Sequence, residues 1–386
     1  MLSHMDHSRA ADGTAGRLLA WYRRHRRELP WRTPENAGDP YRVWVSEVML
    51  QQTQVAVVIP YYERFVRAYP NVAALARAPE AAVLAAWSGL GYYRRARALH
   101  AAARAIVDHH DGTLPLAYAA LTALPGIGAY TAGAVLSIAT GQALPAVDGN
   151  VIRIVSRLGG RHLTPSEVTA QVRAWLPPRH PGDFNQALMD LGATICLPRQ
   201  PACGRCPLRG QCAARAELPP LRPRPVRHQV ERHYALIRRG GRVFLRQRPA
   251  TAARLSGLWE LLPVPAAPPT AVALATLRHA ITNHAITASV YAVPDAEMPA
   301  EPGRWFTQNQ LAHVPLTGLT RKFLQATLGW TPTALGGTPA ALGWAPTSAP
   351  AGARSAPTRA PRAAAASRNS ATPSAPPGDG GSRRRR

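Results

Sequence analysis

The chain has 386 residues, enough for two domains and their tails, and its 46 lysines and arginines against 21 aspartates and glutamates give a formal net charge of +25. So basic a composition points to nucleic acid or another polyanion as partner. It also excludes some chemistry: Lys322 is the single lysine, so residues 1 to 321 offer no lysine nucleophile. All four cysteines fall between Cys196 and Cys212, which argues against a disulfide-stapled secreted protein, and no charged-then-apolar leader opens the chain. The apolar run near Ala132 to Ala139 is too short to span a bilayer, so a cytoplasmic protein is expected.

In chain order, residues 1 to 14 read as polar and irregular. Leu18, Leu19 and Tyr22 then recur at helical spacing and predict an amphipathic helix from Gly16 to Glu28, stopping at Leu29-Pro30-Trp31-Arg32. Asp39-Pro40 is a helix cap followed by proline at the first helical position, and the run from Tyr41 through Gln51, Gln52 and Thr53 to Val55 continues at helical period. Glu47 lies in that run among Val43, Trp44, Val48 and Leu50. An acid against an apolar wall has a raised pKa and can hold a proton for delivery. Helices are predicted over Tyr61 to Ala68, Val72 to Ala76 and Glu80 to Trp87, followed by the turn Gly89-Leu90-Gly91-Tyr92-Tyr93-Arg94-Arg95 and another helix. Aromatic residues beside cations at a tight turn suit the prising apart of stacked bases.

The chain is organised around Leu124 to Arg153. A short helix over Tyr118 to Leu124, the turn Pro125-Gly126-Ile127-Gly128 and a small-residue helix over Thr131 to Ala139 make a helix-hairpin-helix. Its glycines let the backbone approach a phosphate at the helix N-terminus. Asp148 and Asn150 flank Gly149 just beyond, an acid placed against whatever the hairpin holds. A helix from Phe184 to Ile195 leads into cysteines spaced C-x6-C-x2-C-x5-C: Cys196, Cys203, Cys206 and Cys212. Four thiolates so close in sequence fit one metal centre, either a four-iron cluster or a tetrahedral zinc. The prolines between Leu218 and Pro225 end the first domain. Strands are then expected over His233 to Arg238, Arg242 to Arg248, Gly257 to Leu261 and Ile281 to Ala292, with a helix over Thr270 to Leu277. From Trp330 onward, eight arginines and one aspartate lie in Ala, Pro, Ser, Gly and Thr, a composition that forms no core.

Taken together, Leu29 to Arg32, Ser46 to Thr53, Gly89 to Tyr93, Leu124 to Gly128, Val147 to Asn150 and the cysteine loop resemble the MutY-type adenine DNA glycosylases of the endonuclease III superfamily, over roughly Gly16 to Gly329. The resemblance implies a mainly α helix-hairpin-helix glycosylase domain over 15–218 with a [4Fe-4S] loop at 196–212. It further implies a linker at 219–230, a smaller α+β nudix-like domain over 231–329 that inspects the opposite base, and a disordered tail over 330–386. The implied reaction removes adenine mispaired with 8-oxoguanine or guanine in double-stranded DNA, by a monomer associated with the nucleoid. Glu47 falls on the acid that protonates the leaving adenine at N7 and later helps activate water, and Asp148 on the ionised partner that stabilises the oxocarbenium-like sugar or forms a transient covalent adduct with it. Tyr130 and Asn150 fall on supporting positions. Gln52 and Tyr92 match residues that enter the base stack, and Gly126, Gly128 and Arg32 match DNA-contacting motifs. The four cysteines fall on the cluster ligands, which favours iron over zinc. Bifunctional relatives carry a lysine where this chain has Tyr130, so a lysine-dependent strand cleavage is excluded. The second domain lacks the carboxylate cluster of magnesium-dependent nudix hydrolases, and its opposite-base loop reads Ile281-Thr282-Asn283-His284 where many members have Phe-Ser-His. Two other classes account for less of the sequence: a non-catalytic DNA-binding protein stabilised by metal has no use for both Glu47 and Asp148, and a zinc-stabilised regulator leaves both carboxylates unexplained.

Overall fold

Capping chemistry sets most of the helix boundaries in the N-terminal part of the chain. A computed structural model describes residues 4–215, 217, 228–269, 271–281, 283–297 and 302–331. Helix α1 runs His4–His25, so the segment expected to be irregular before Gly16 is helical. Two glycines lie inside it, but Ala15, Leu18, Leu19 and Tyr22 are buried against later helices, and that packing outweighs the local propensity cost. After a 3-10 turn at Pro30–Arg32 come α2 (Pro34–Ala37), α3 (Pro40–Leu50) and α4 (Val55–Ala68). Asp39 caps α3 by accepting from the Tyr41 and Arg42 amides. The run expected as one helix breaks at Gln51 to Gln54, where Gln52 adopts a left-handed backbone at φ +57°. Next follow α5 (Val72–Arg77), α6 (Glu80–Ala86), α7 (Arg94–His109), α8 (Tyr118–Thr122) and α9 (Ala129–Thr140). The last three helices of this part are α10 (Gly149–Leu158), α11 (Pro165–Trp175) and α12 (Pro181–Thr194).

These helices close around two hydrophobic cores. One is built from residues 29 to 136, with Trp44, Trp87, Phe65 and Leu99 fully buried. The other joins α1 to α10, α11 and α12 through Leu18, Val151, Val155, Phe184 and Leu188. Helix α9 packs on both α3 and α12 and so runs along the seam between them. Gly133 is what lets α9 come so close to the segment ahead of α10. A Cβ there would lie 2.2 Å from the Pro145 carbonyl oxygen.

The later part is α+β. Strands β1 (His228–Leu236), β2 (Arg238–Arg239), β3 (Arg242–Gln247), β4 (Trp259–Glu260), β5 (Leu262–Val264), β6 (Ala273–Ile281), β7 (His284–Ala292) and β8 (Arg304–Thr307) precede α13 (Gln308–Leu311) and α14 (Gly318–Leu328). One sheet has the order β5-β1-β7-β6, with β1 and β7 parallel, and the other joins β2, β3, β4 and β8. The helix expected over Thr270 to Leu277 is instead the start of β6. Its alanines favour a helix locally, but pairing with the β-branched β7 from Tyr291 to His284 supplies a full antiparallel ladder that overrides that preference. Two expected boundaries also move. Strand β1 begins inside the expected linker, and Trp330, expected in the tail, is 5% exposed in the C-terminal core with its indole N–H on the Gln308 carbonyl. The rest of the tail, 332–386, lies outside the described residues.

Candidate active site

Helix α3 delivers Glu47 into the seam between the two helical cores. The side chain is 4% exposed and lines a cavity of about 460 Å3 together with Tyr130, Asp148, Asn150 and Met189. Burial pushes its carboxyl up from the ordinary 4.5 to about 7, and the nearby Asp148 adds to that. Two influences pull the other way: the Tyr130 hydroxyl, which donates to Glu47 Oε2 at 2.8 Å, and the charge of Arg32. Burial wins, and Glu47 is poised to hold or release a proton near neutrality.

Asp148 faces the same cavity as the N-cap of α10. Its Oδ1 accepts from the amides of Asn150 and Val151, each at 2.9 Å, and its Oδ2 accepts from Asn150 Nδ2 at 2.8 Å. A carboxylate held by three donors at a helix N-terminus has little freedom to rotate. Asn150 is fixed in turn by Arg153, whose guanidinium donates to Asn150 Oδ1, to the Gly192 carbonyl and to the Cys196 carbonyl. The hairpin turn precedes α9, which carries Tyr130. Gly126 takes φ +75°, and a Cβ there would lie 2.6 Å from the Ala98 Cβ, while Gly128 is the N-cap of α9 with no side chain over the helix end.

Gln52 and Tyr92 do not line the cavity. Each lies on a turn beside it with a left-handed backbone, Tyr92 at φ +49° and 51% exposed. Arg95 joins the two turns. Its guanidinium donates to the Val48 and Met49 carbonyls at 2.8 Å each, to the Gln51 carbonyl, to Thr53 Oγ1 at 3.0 Å and to the Gly91 carbonyl at 3.3 Å. A cation is thereby placed on the open carbonyls that end α3, and it lies 5.4 Å from the centre of the Tyr92 ring. In the sequence Arg95 reads as a cation beside the aromatics of the turn. Its contacts with the end of α3 and with Thr53 reach more than forty residues back along the chain, which no local pattern reveals.

Arg32, expected at the DNA, is turned inward. Its guanidinium holds the 1% exposed Asp190 of α12 by two bonds of 2.8 and 3.0 Å, and Arg27 joins the same carboxylate. Burial alone would raise the Asp190 carboxyl, but the bonds and charges of Arg32 and Arg27 hold it below the usual carboxylate value. Asp190 and Arg27 had no motif to announce them. Their pairing across 163 residues locks α12 to the segment after α1, and Arg27 also lines the cavity.

The four cysteines are unpaired and partly buried, and all four line a second cavity of about 190 Å3 with Leu191, Leu208 and Arg157. Among the described residues, no group of three or more His, Cys, Asp or Glu converges as a single ion would require. Arg157 braces the loop, donating to Cys196 Sγ at 3.3 Å and to the Leu197 and Pro198 carbonyls. In the C-terminal part, Asn283 and His284 stand at the β6–β7 turn. The Asn283 carbonyl accepts from the His228 amide, and Arg254 lies 3.3 Å from His284 Nδ1. Thr282 lies outside the described residues. No helix among the described residues is long and apolar enough to cross a membrane.

A family model described as HhH-GPD superfamily base excision DNA repair protein matches residues 45–178, which span the hairpin and both carboxylates. The class is therefore a helix-hairpin-helix protein of base-excision DNA repair. Human adenine DNA glycosylase is 46% identical over 212 residues, 52% of this chain and 39% of that protein. Adenine DNA glycosylase of Mycobacterium tuberculosis is 44% identical over 220 residues, 55% of this chain and 71% of that protein. A solved thermostable thymine-DNA glycosylase is similar with a TM-score of 0.50 and 28% identity, covering 54% of this chain and 97% of that one. The chain belongs to the adenine DNA glycosylase family. It spans about two fifths of the length of the human relative.

Proposed function

We propose that this chain removes adenine mispaired with 8-oxoguanine or guanine from double-stranded DNA, hydrolysing the N-glycosidic bond without cutting the strand. The observation that carries the proposal is a buried Glu47, titrating near 7, that shares one cavity with the capped Asp148. A purine turned out of the duplex would occupy that cavity. Glu47 in its protonated form donates to N7, the C1′–N9 bond breaks, and the electron pair leaves with the base. Asp148 faces the positive charge left on the sugar, with Asn150 fixing its orientation. Glu47, now a carboxylate, takes the proton of the attacking water, and the products are free adenine and an abasic strand. Tyr130 stands where a bifunctional enzyme needs a lysine, and with no lysine before Lys322 the reaction stops there.

Gln52 and Tyr92, on turns held by Arg95, would fill the space left in the base stack, and Gly126 and Gly128 would bring the hairpin backbone to a phosphate. The α+β part, in the nudix-like reading, would read the opposite base through Asn283 and His284 together with Thr282. A [4Fe-4S] cluster would fit Cys196, Cys203, Cys206 and Cys212, since four thiols outside any disulfide wall one cavity. When bound, it would tie four points of the Cys196 to Cys212 loop together and stiffen the basic surface that Arg199, Arg205 and Arg209 contribute. We expect a monomer acting on the nucleoid in the cytoplasm.

Single-turnover cleavage of duplexes with adenine opposite 8-oxoguanine, guanine, cytosine or thymine tests the proposal. Excision opposite the first two, with strands that break only on alkaline treatment, is expected. Absence of excision opposite all four would overturn it.

A further inference from the structure

The turn that presents Tyr92 is held from behind by the C-terminal part of the chain. Tyr93, next to it and buried, donates its hydroxyl to the Leu316 carbonyl at 2.8 Å, and Ser88 Oγ donates to the same oxygen at 3.1 Å. Arg321 of α14 reaches into the other end of the turn. Its Nη1 donates to Tyr61 Oη at 2.5 Å and to the Ser88 carbonyl, which Tyr61 Oη also approaches at 2.9 Å. Gly89 is shaped for this visitor. It takes φ +112°, and a Cβ there would lie 2.1 Å from both Arg321 Nη1 and Tyr61 Oη. Leu316 is itself fixed, since it bridges Trp259 while the Pro315 carbonyl and Thr317 amide pair with the Trp259 backbone. Leu258, one residue before Trp259, is buried in the first helical core. Apart from Tyr61, the anchors of the turn on this side come from Leu316 and Arg321.

We propose that Leu316 and Arg321 are positioning residues for Tyr92, so that the part of the chain assigned to the opposite base also sets how firmly the aromatic wedge is presented to the stack. The inference rests on the reading of Tyr92 as a residue that enters the base stack. Tyr92 is half exposed on a left-handed backbone, and the ties through Tyr93 and Ser88 hold the turn that carries it from the side opposite Arg95. The coupling runs through contiguous hydrogen bonds between two folded parts, and it needs no large movement.

A double-mutant cycle in the full-length chain tests this, with Arg321→Met, Tyr92→Ala and the pair combined. The substrate carries 2-aminopurine in place of the target adenine opposite 8-oxoguanine, so that its fluorescence rises as the base leaves the stack; excision is followed in parallel on adenine. Tyr92→Ala should lower both the fluorescence rise and the excision rate. Arg321→Met should lower both several-fold, and the double variant should be no worse than Tyr92→Ala. Losses that multiply would show Arg321 acting independently of the wedge and overturn the proposal. So would an Arg321→Met protein with a lower melting temperature and an unchanged fluorescence rise. Tyr93→Phe, which removes one hydroxyl and keeps the ring, should show the same loss in milder form and guards against misfolding of the arginine variant. Full fluorescence and excision by Tyr92→Ala would instead refute the wedge itself, a result separable from failure of the tie.

Discussion

Glu47 is worth following because the same burial that equips it for catalysis costs the fold stability. An acid needed in its protonated form gives a rate that falls as pH rises through about 7. Tyr130→Phe removes the donor that favours the carboxylate, so the pKa of Glu47 should climb further and the alkaline limb of excision should move to higher pH. A limb that stayed in place would show that the tyrosine hydroxyl does not govern the acid. Glu47→Gln cannot donate the proton, and excision should drop at least a hundredfold, roughly the worth of general acid catalysis, while binding to the mispaired duplex persists. Between 4.5 and about 7 the unfolded chain releases this proton and the folded chain keeps it, so the site's contribution to stability declines across that window and stays low above it. The glutamine escapes the penalty. Its melting temperature should match the parent's near pH 4.5 and exceed it above pH 7, by up to about 3 kcal/mol in free energy. Calorimetry at the two ends of the window reads this directly.

The elements explain why some of this was visible in the amino-acid sequence and some was not. Asp39-Pro40 and the glycines of the hairpin act within three or four residues, so each left a local signature that the fold repeats, whereas the capping role of Asp148 emerged only with α10. Glu47 was legible because its apolar neighbours are also its neighbours in the chain. The break after α3 was not, because what ends that helix is Arg95, some forty-five residues later, taking its last carbonyls. Strand β6 was missed for a similar reason, since its ladder to β7 overrules its alanines. Arg95→Met would leave the carbonyls of Val48, Met49 and Gln51 without their donor at a buried helix end. A loss of a few kcal/mol is expected, read by denaturant titration, at roughly 1–3 kcal/mol for each buried group left unsatisfied. It should also release the Gln52 and Tyr92 turns together, seen as a shared gain in backbone amide exchange over Gln51 to Thr53 and Gly91 to Tyr93.

At the scale of the whole molecule, charge and metal chemistry make separate predictions. Residues beyond Thr331 carry eight arginines and one aspartate, and a chain ending at Thr331 keeps the buried Trp330 that anchors the C-terminal core. If those arginines meet phosphates, log-log plots of DNA affinity against salt should be shallower for the shortened chain, with its preference for 8-oxoguanine over guanine unchanged. Equal slopes would make the extension a bystander. Anaerobically purified protein should be brown and carry about four irons per chain. One zinc and no iron would remove the cluster from the proposal.

The two helical cores also differ in when they can form. Residues 29 to 136 supply one almost without interruption, so it can condense while the chain is still being synthesised. Helix α1, made first, has its partners in α11 and α12, and Asp190 is the residue that receives Arg27 and Arg32. Helix α1 therefore lacks its partners until synthesis has passed through α12, which ends at Thr194. The cavity between the cores closes only then, so nascent chains stalled short of α12 would carry Glu47 in a finished half-site with no opposing wall.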